Sequence, residues 1–253
     1  MRKWFNGLNV EMDARAVPPR IFPPRHTVFR MDRSVPALVL AVAFAAACAP
    51  ASAQMAGEVT PLARARAAGP GTEVVVDGVV SVPPGVFDGG FAIQDRTAGI
   101  WVLPLADPVL LRLGQRVRIR GTLDNPNNQL ALIPSTLQLF DFRGAPAGMA
   151  LETAPEPRGV RTGGVDESEE GWLVRIRGRV VTEPENDAPW GWKVMVDDGS
   201  GAVMVFIDAE TDVRADQFVP GALVEVVGFA GQYDDHYEVI PRGHDDVRVL
   251  QRE

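Results

Sequence analysis

The chain has 253 residues, of which 46% are hydrophobic and 23% are charged, and its formal net charge is −8 at pH 7. This composition is typical of a globular protein, and the length allows one large domain or two small ones. No apolar run reaches the roughly 18 to 20 residues that a membrane-spanning helix needs. The single cysteine excludes an intrachain disulfide and a cysteine-based zinc site, and the negative charge argues against a generally basic nucleic-acid-binding surface.

The first 53 residues have the pattern of a leader followed by a signal peptide. Met31 is the more plausible start, Arg33 supplies a basic residue, and residues 35–47 form an apolar stretch of signal-peptide length. Ala51-Ser52-Ala53 then provides a small-x-small cleavage site. Residues 1–30 are interpreted either as a consequence of start-site choice or as a disordered leader. The pattern predicts export to the periplasm or beyond the cell.

Cys48 offers an alternative route to the same compartments. The run Ala45-Ala46-Ala47-Cys48 resembles a bacterial lipobox, in which the cysteine becomes the lipidated first residue, although alanine stands where leucine is usual. Lipidation at Cys48 would yield a membrane-anchored lipoprotein, whereas cleavage after Ala53 would leave the chain without an anchor. Both alternatives predict export.

The charge is distributed unevenly along the chain. Residues 54–150 contain eight basic and eight acidic residues, whereas residues 151–253 contain 10 basic and 22 acidic residues. The C-terminal half therefore carries the whole excess of acid. Such a compositional step indicates two domains.

The two halves also repeat each other. The offset between matching segments changes in small steps, which indicates one duplicated unit with different loop lengths. The matching pairs are 74–78 with 174–178, 91–102 with 194–205, and 113–121 with 220–228. We therefore expect a first domain at 59–141, a linker at 142–171 and a second domain at 172–253.

Each copy alternates apolar and polar residues with a period of two, which predicts strands rather than long helices. The expected strands are 73–81, 90–95, 99–104, 115–123 and 130–139, and then 172–182, 192–197, 202–207, 222–229, 236–241 and 246–250. A short helical segment fits between strands three and four of each copy, at 107–113 and 212–218. Five strands with one helical insert predict an all-β chain of two tandem five-stranded OB barrels.

Specific motifs carry a family resemblance. Residues 78–102 (GVVSVPPGVFDGGFAIQDRTAGIWV) and 113–123 (LGQRVRIRGTL) resemble the OB-fold domains of exported bacterial proteins. Residues 197–206 (DDGSGAVMVF) and 237–242 (YEVIPR) resemble the bacterial nucleic-acid-binding OB pattern. The resemblance spans about residues 73–250, and it implies the fold more strongly than any function.

Two arginine ladders alternate with apolar residues on the expected strands. They are Arg116, Arg118 and Arg120 in the first copy, and Arg175, Arg177 and Arg179 in the second. One hypothesis is that the ladders follow a phosphate backbone. The other is cross-strand ion pairing, with Glu73 and Asp77 in the first copy and with Glu225 in the second.

The usual OB ligand face consists of strands two and three with the loops after strands one and four. Aromatic side chains on such a face can stack on bases or on sugar rings. Trp101 is expected to point outward, where it contacts either a ligand or the other domain. The candidate ligand-binding residues, besides the first arginine ladder, are Phe87, Gln94, Trp101, Asn125, Asn127 and Asn128 in the first copy, and Trp190, Lys193, Phe206, Tyr233 and Tyr237 in the second.

Catalytic motifs are absent from the sequence. There is no GxSxG, HExxH or phosphate-binding glycine loop, and after residue 53 the chain has only two histidines and one lysine. Asp234-Asp235-His236 lacks the spacing of a calcium loop. We therefore expect no enzymatic activity, no cofactor and no metal site.

Two functional hypotheses follow. The first is an exported protein that binds single-stranded nucleic acid through its first barrel, because acidic residues in the loops of the second barrel would repel a polyanion. The second is an extracytoplasmic adaptor or spacer that binds a protein or a glycan and has no nucleic-acid activity.

Overall fold

The computed structural model describes residues 57–107, 109–140 and 154–252. The expected signal peptide and Cys48 lie outside these residues. The described elements are α1 Leu62–Ala68, β1 Glu73–Val82, β2 Phe91–Gln94, β3 Gly99–Val102, β4 Arg116–Asp124, β5 Ala131–Leu139, β6 Arg158–Gly159, β7 Leu173–Val180, β8 Glu185–Asp187, β9 Gly191–Asp197, β10 Val203–Asp208, β11 Leu223–Tyr233, β12 His236–Ile240 and β13 Val247–Gln251. Short 3-10 turns occupy Pro126–Asn128, Thr162–Gly164, Ala215–Gln217 and His244–Asp246.

Strands β1 to β5 form the first barrel, which closes in the order β1-β2-β3-β5-β4. Strand β4 shows why the sequence folds in this way, because Val117 and Ile119 are fully buried while the arginines between them face outward. Strands β3 and β5 are parallel and the other neighbours are antiparallel. The expected five-stranded OB barrel is confirmed.

The second barrel repeats this plan. Its strands β7, β9, β10, β12 and β11 close through the β11–β7 pairing. The additional strands β6, β8 and β13 extend the sheet at its edges, and β13 corresponds to the strand expected at 246–250. The all-β architecture of two OB-like barrels is therefore confirmed.

Repeated glycines explain part of the internal similarity. Gly121 of β4 and Gly228 of β11 lie in segments that match in sequence, and a Cβ at either would lie within 2.7 Å of a backbone carbonyl oxygen, that of Ile133 or Ile240. At both positions the close approach of the neighbouring strand leaves no room for a side chain. Barrel packing therefore accounts for the glycine at each of these two positions.

The connections between strands three and four differ from the expected helices. In the second barrel this segment contains only the 3-10 turn Ala215–Gln217, and in the first barrel its described residues form turns and irregular chain. An expected helix of seven residues has only about two turns, and helices that short are marginal unless packing and caps support them. No helix of the described residues is long and apolar enough to cross a membrane.

Helix α1 was not expected from the sequence. Its first backbone N–H groups are capped from the β2–β3 turn, where Asp95 Oδ2 accepts from Leu62 at 2.9 Å and Thr97 Oγ1 accepts from Ala63 at 3.0 Å. Leu62 and Ala65 are buried against the first barrel. Pro61 and the run of leucine, alanine and arginine favour a helix locally, but the groups that cap its first turn are distant in sequence.

Candidate functional site

The expected ligand face of the first barrel is covered by the second barrel. Trp101 is fully buried, and its ring stacks on Phe87 with centroids 5.2 Å apart and planes 7° apart. Its ring centroid also lies 5.3 Å from that of Phe229 of the second barrel, and the Phe87 and Phe229 rings are 6.4 Å apart, so the three rings form one cluster. Phe206 is buried in the same cluster. The assignment of Phe87, Trp101 and Phe206 to an open ligand surface is therefore corrected: they form an apolar interface between the barrels.

Polar groups of the first barrel are also used at this interface. Gln94 is buried, and its Oε1 accepts from the backbone N–H of Leu173 at 3.2 Å. Asn128 Nδ2 donates to the carbonyl oxygen of Asp234 at 2.8 Å, and the N–H of Asp234 donates to the carbonyl oxygen of Asn127 at 2.8 Å. Asn125 is exposed. Asn127 and Asn128, which were expected to contact a ligand, therefore contact the second barrel instead.

A close backbone contact and an ion pair complete the junction. A Cβ on Gly99 would lie 2.0 Å from the carbonyl oxygen of Gly171, so neither residue leaves space for a side chain. Beside this contact, Glu170 Oε1 accepts from Arg66 Nη2 at 3.0 Å and from the N–H of Leu130 at 3.2 Å. Burial raises the pKa of Glu170 to about 6, and the attraction of Arg66 opposes the rise.

The first arginine ladder is internally paired. Arg118 binds Asp77 through Nε at 2.6 Å and Nη2 at 2.9 Å, and this hydrogen bonding raises the pKa of Arg118. Arg116 Nη2 lies 3.5 Å from the same carboxylate, and Arg120 Nη1 lies 3.3 Å from Glu73 Oε1. These arginines have local carboxylate partners, as the ion-pairing hypothesis predicts.

The second ladder is paired differently. Arg177 faces Glu225 in register, but the ion pair of Glu225 is with Arg248 of β13 at 3.9 Å. Arg179 Nη1 donates to the carbonyl oxygen of Gly221 at 2.6 Å. The expected exchange, with arginine on the first strand and glutamate on the fourth, is therefore present as the register of Arg177 with Glu225. The ion pair of Glu225, however, is formed with Arg248 of the additional strand β13.

An open surface remains on strands two and three of the second barrel, which are β9 and β10. Val194 and Val196 of β9 and Val205 of β10 point into the core. The odd-numbered residues of β9 and the even-numbered residues of β10 therefore point outward. We call this surface the β9–β10 face. It consists of the half-buried outward residues Lys193, Met195 and Met204, with Asp187 and Tyr233 at its edges. Trp190, another predicted ligand-binding residue, is half-buried and packs against the inter-barrel cluster.

The β9–β10 face is electronegative. Lys193 Nζ lies 3.0 Å from Asp187 Oδ2, so its positive charge has a local partner. Burial raises the pKa of Tyr233, and the negative charges of Asp234, Asp187 and Glu238 add to the rise, whereas Lys193 opposes it. A phosphate placed here would meet the same carboxylates.

Tyr237 does not belong to this face. Its hydroxyl donates to Glu167 Oε2 at 3.2 Å, and its ring packs against the core of the second barrel. The correction follows from strand alternation, because Val239 of the same strand points into the core and Tyr237 shares its side. Met195 was not among the predicted ligand-binding residues, although the same alternation places it on the same side of β9 as Lys193.

Among residues 57–107, 109–140 and 154–252, no group of three or more His, Cys, Asp or Glu side chains is arranged to hold a metal ion. His244 Nδ1 lies 2.7 Å from Asp212 Oδ2, and this contact raises the pKa of the exposed imidazole.

Comparisons with known proteins concern the fold alone. No protein-family model and no curated protein matches the chain. An OBody, AM3L09, bound to hen egg-white lysozyme is 17% identical, with TM-score 0.32, and covers 40% of this chain and 100% of its own. A putative aspartyl-tRNA synthetase from Leishmania major Friedlin is 15% identical, with TM-score 0.31, over 42% of this chain and 23% of its own. The second OB-fold domain of replication protein A from Methanococcus maripaludis is 13% identical, with TM-score 0.26, over 38% of this chain and 98% of its own.

Proposed function

We propose that this chain is an exported, non-enzymatic adaptor that binds a neutral or positively charged segment of another protein on its β9–β10 face. The observation that carries the proposal is the composition of that face, in which Met195 and Met204 lie beside each other in register and Tyr233 lies near the carboxylates of Asp187 and Asp234. Tyrosine, tryptophan and methionine are enriched in protein–protein interfaces. Methionine also adapts its shape to different partners.

The electrostatics favour this partner over nucleic acid. The ammonium of Lys193 is paired with Asp187, and three carboxylates act on the hydroxyl of Tyr233. Phosphate contacts supply most of the affinity in non-specific nucleic-acid binding, and they require unpaired positive charge. The first barrel does not offer an alternative through Phe87 and Trp101, because both rings are fully buried.

Export and the lack of catalysis are part of the proposal and rest on the sequence. The apolar stretch at 35–47 and the Ala51-Ser52-Ala53 site support export, with lipidation of Cys48 as the alternative form of maturation. The absence of the common catalytic motifs supports a binding role.

A peptide array sorted by net charge tests the proposal with the full chain. We expect binding to neutral and cationic peptides and not to acidic ones. Met195→Ala and Met204→Ala should each weaken this binding by about tenfold, as contacts within a small set of dominant interface residues do. Leu110→Ala is the matched control, because Leu110 is 81% exposed on the first barrel. Binding confined to acidic peptides or to a single-stranded oligonucleotide would contradict the proposal, and binding to neutral glycans alone would assign the face to sugars.

A further inference from the structure

Four arginines lie on one outer wall of the acidic second barrel. Arg175, Arg177 and Arg179 are exposed at alternate positions of β7, roughly 7 Å apart along the strand. Arg248 of β13 lies on the same wall, with Glu225 of β11 between it and Arg177 in register. We call this wall, formed by the outward residues of β7, β11 and β13, the arginine face.

The arginine face is net positive. Its carboxylates are Glu225, which pairs with Arg248 at 3.9 Å, and Asp197, which faces Arg179 in register on β9. Within the described parts of the chain, Arg175 and Arg177 have no carboxylate oxygen within 4.0 Å. The equivalent wall of the first barrel differs, because Asp77 and Glu73 pair with its arginines.

One end of the arginine face carries exposed aliphatic side chains. Val181 follows Arg179 at the next outward position and is 50% exposed. Val219 is 48% exposed in the adjacent turn, which the hydrogen bond from Gly221 N to the carbonyl oxygen of Val180 holds beside β7. Leu250 of β13 is 43% exposed near Leu223, which is paired in register with the next residue, Gln251. Arginines and exposed aliphatic groups therefore form one continuous surface.

We propose that the arginine face docks on an anionic phospholipid membrane. Guanidinium groups bind phosphates well, and each basic residue near an anionic surface adds to the attraction. The aliphatic groups at the end of the wall supply the apolar contact that interfacial binding requires. The carboxylates of the β9–β10 face point away from such a membrane, because β10 lies across the barrel from β7 and β11 in the order β7-β9-β10-β12-β11.

The composition of the wall favours a membrane over single-stranded nucleic acid. Proteins that bind single strands combine positive charge with aromatic rings on which bases stack. The outward residues of β7 and β13 and those of β11 up to Val227 are arginine, leucine, valine and glutamate. The next outward residue of β11, Phe229, is fully buried against the first barrel, so its ring is not available for stacking on a base. The proposal is independent of the partner of the β9–β10 face, since the two surfaces share no residue.

Co-sedimentation of the full chain with phospholipid vesicles tests the proposal. The vesicles contain phosphatidylcholine with or without about one third phosphatidylglycerol, at low salt and at about 0.5 M salt. We expect binding to the anionic vesicles that high salt weakens, and a loss of at least about tenfold in affinity for the double variant Arg177→Glu/Arg248→Glu. The charge-matched control is Arg96→Glu/Arg112→Glu, which changes two exposed arginines of the first barrel and should bind as the parent does. Because residues 1–53 are common to all variants, any binding by the leader cancels in this comparison.

Three outcomes would overturn the proposal: no preference for anionic vesicles, equal loss of affinity in both double variants, or a loss in the first variant confined to binding of a labelled single-stranded oligonucleotide. Leu250→Ser provides a second test that leaves the charge unchanged. It should weaken vesicle binding at both salt concentrations, whereas unchanged binding would contradict the apolar contact. Circular dichroism of each variant distinguishes loss of docking from loss of folding.

Discussion

The rings of Trp101 and Phe229 lie 5.3 Å apart and are inclined by 54°, and each belongs to a different barrel. Aromatic pairs at this distance contribute packing energy beyond the area that they bury. Because Trp101 lies on the strand that would present a ligand in the first barrel, this contact closes that face. The chain consequently presents two other surfaces, the β9–β10 face and the arginine face, both on the second barrel.

Replacing Trp101 should destabilise the whole chain. We expect Trp101→Ala to lower the free energy of unfolding by about 3–5 kcal/mol, because a fully buried ring would leave a cavity between the barrels. The measurement is urea denaturation followed by circular dichroism. Trp192→Ala is the control, since Trp192 is 37% exposed. Equal losses for the two variants would show that Trp101 does not hold the barrels together.

The contact between Gly99 and Gly171 should not tolerate a methyl group. A Cβ on Gly99 would lie 2.0 Å from the carbonyl oxygen of Gly171, so Gly99→Ala must move one barrel relative to the other. We expect a loss of about 1–3 kcal/mol, in the range of overpacking substitutions. Thermal unfolding compares it with Gly159→Ala, where nothing lies within 4 Å of the added Cβ. A Gly99→Ala protein as stable as the Gly159→Ala protein would refute this backbone contact.

Stability should depend on pH through Glu170. Burial raises the pKa of Glu170 from 4.5 to about 6, so the folded state holds this proton more tightly than the unfolded chain does. Its contribution is therefore fully present below pH 4.5 and is lost as the pH rises through about 6. Relative to Glu170→Gln, the parent should lose about 2 kcal/mol across this window.

The control for this experiment is Glu167→Gln, because Glu167 contacts the same arginine from an exposed position. This variant retains Glu170 and should keep most of the pH dependence of the parent, moved slightly to lower pH because the charge of Glu167 adds to the rise in the pKa of Glu170. Urea denaturation at a series of pH values gives both comparisons. A constant difference between the parent and Glu170→Gln would mean that Glu170 does not titrate in this window.

Arg118 should matter for stability and not for ligand binding. Its bidentate bond to Asp77 is partly buried, so Arg118→Ala should lower the free energy of unfolding by about 1–2 kcal/mol. Binding of a single-stranded oligonucleotide, measured by fluorescence anisotropy at low salt, should be equally weak before and after the substitution. The exposed Arg96→Ala provides the neutral comparison. A stable Arg118→Ala protein with a reduced oligonucleotide affinity would restore the phosphate-binding hypothesis for this ladder.

The barrels were predictable from the sequence because their determinants are local. The alternation of Val117 and Ile119 with arginines predicts strand β4, and the repeat of the same pattern predicts the second barrel. The ion pairs of Asp77 were predictable as well, because the OB fold places strands one and four side by side and the sequence gives their outward residues opposite charges. Helix α1 was not, because its caps at Asp95 and Thr97 come from a turn more than 30 residues away.

The sequence predicted which side chains point out of each barrel, but not which of them are covered by the other barrel. Alternation correctly directs Trp101 outward from its own barrel, but it cannot show whether the outward side meets solvent or a second domain. The shape of the junction depends on contacts such as Gln94 with Leu173, which are 79 residues apart. Lys193 and Tyr233 could be assigned to the second barrel's face, whereas the local pairing of Lys193 with Asp187 required the loop geometry.

The central claim is that the second barrel covers the ligand face of the first, and acrylamide quenching of single-tryptophan proteins tests it most directly. One protein retains Trp101 and another retains Trp192, with the other tryptophans replaced by phenylalanine. We predict that Trp101 is quenched several times more slowly than Trp192, because its ring is fully buried between the barrels while Trp192 is 37% exposed. Equal quenching of the two residues in folded protein would contradict the claim and would return Trp101 to the list of ligand-binding candidates.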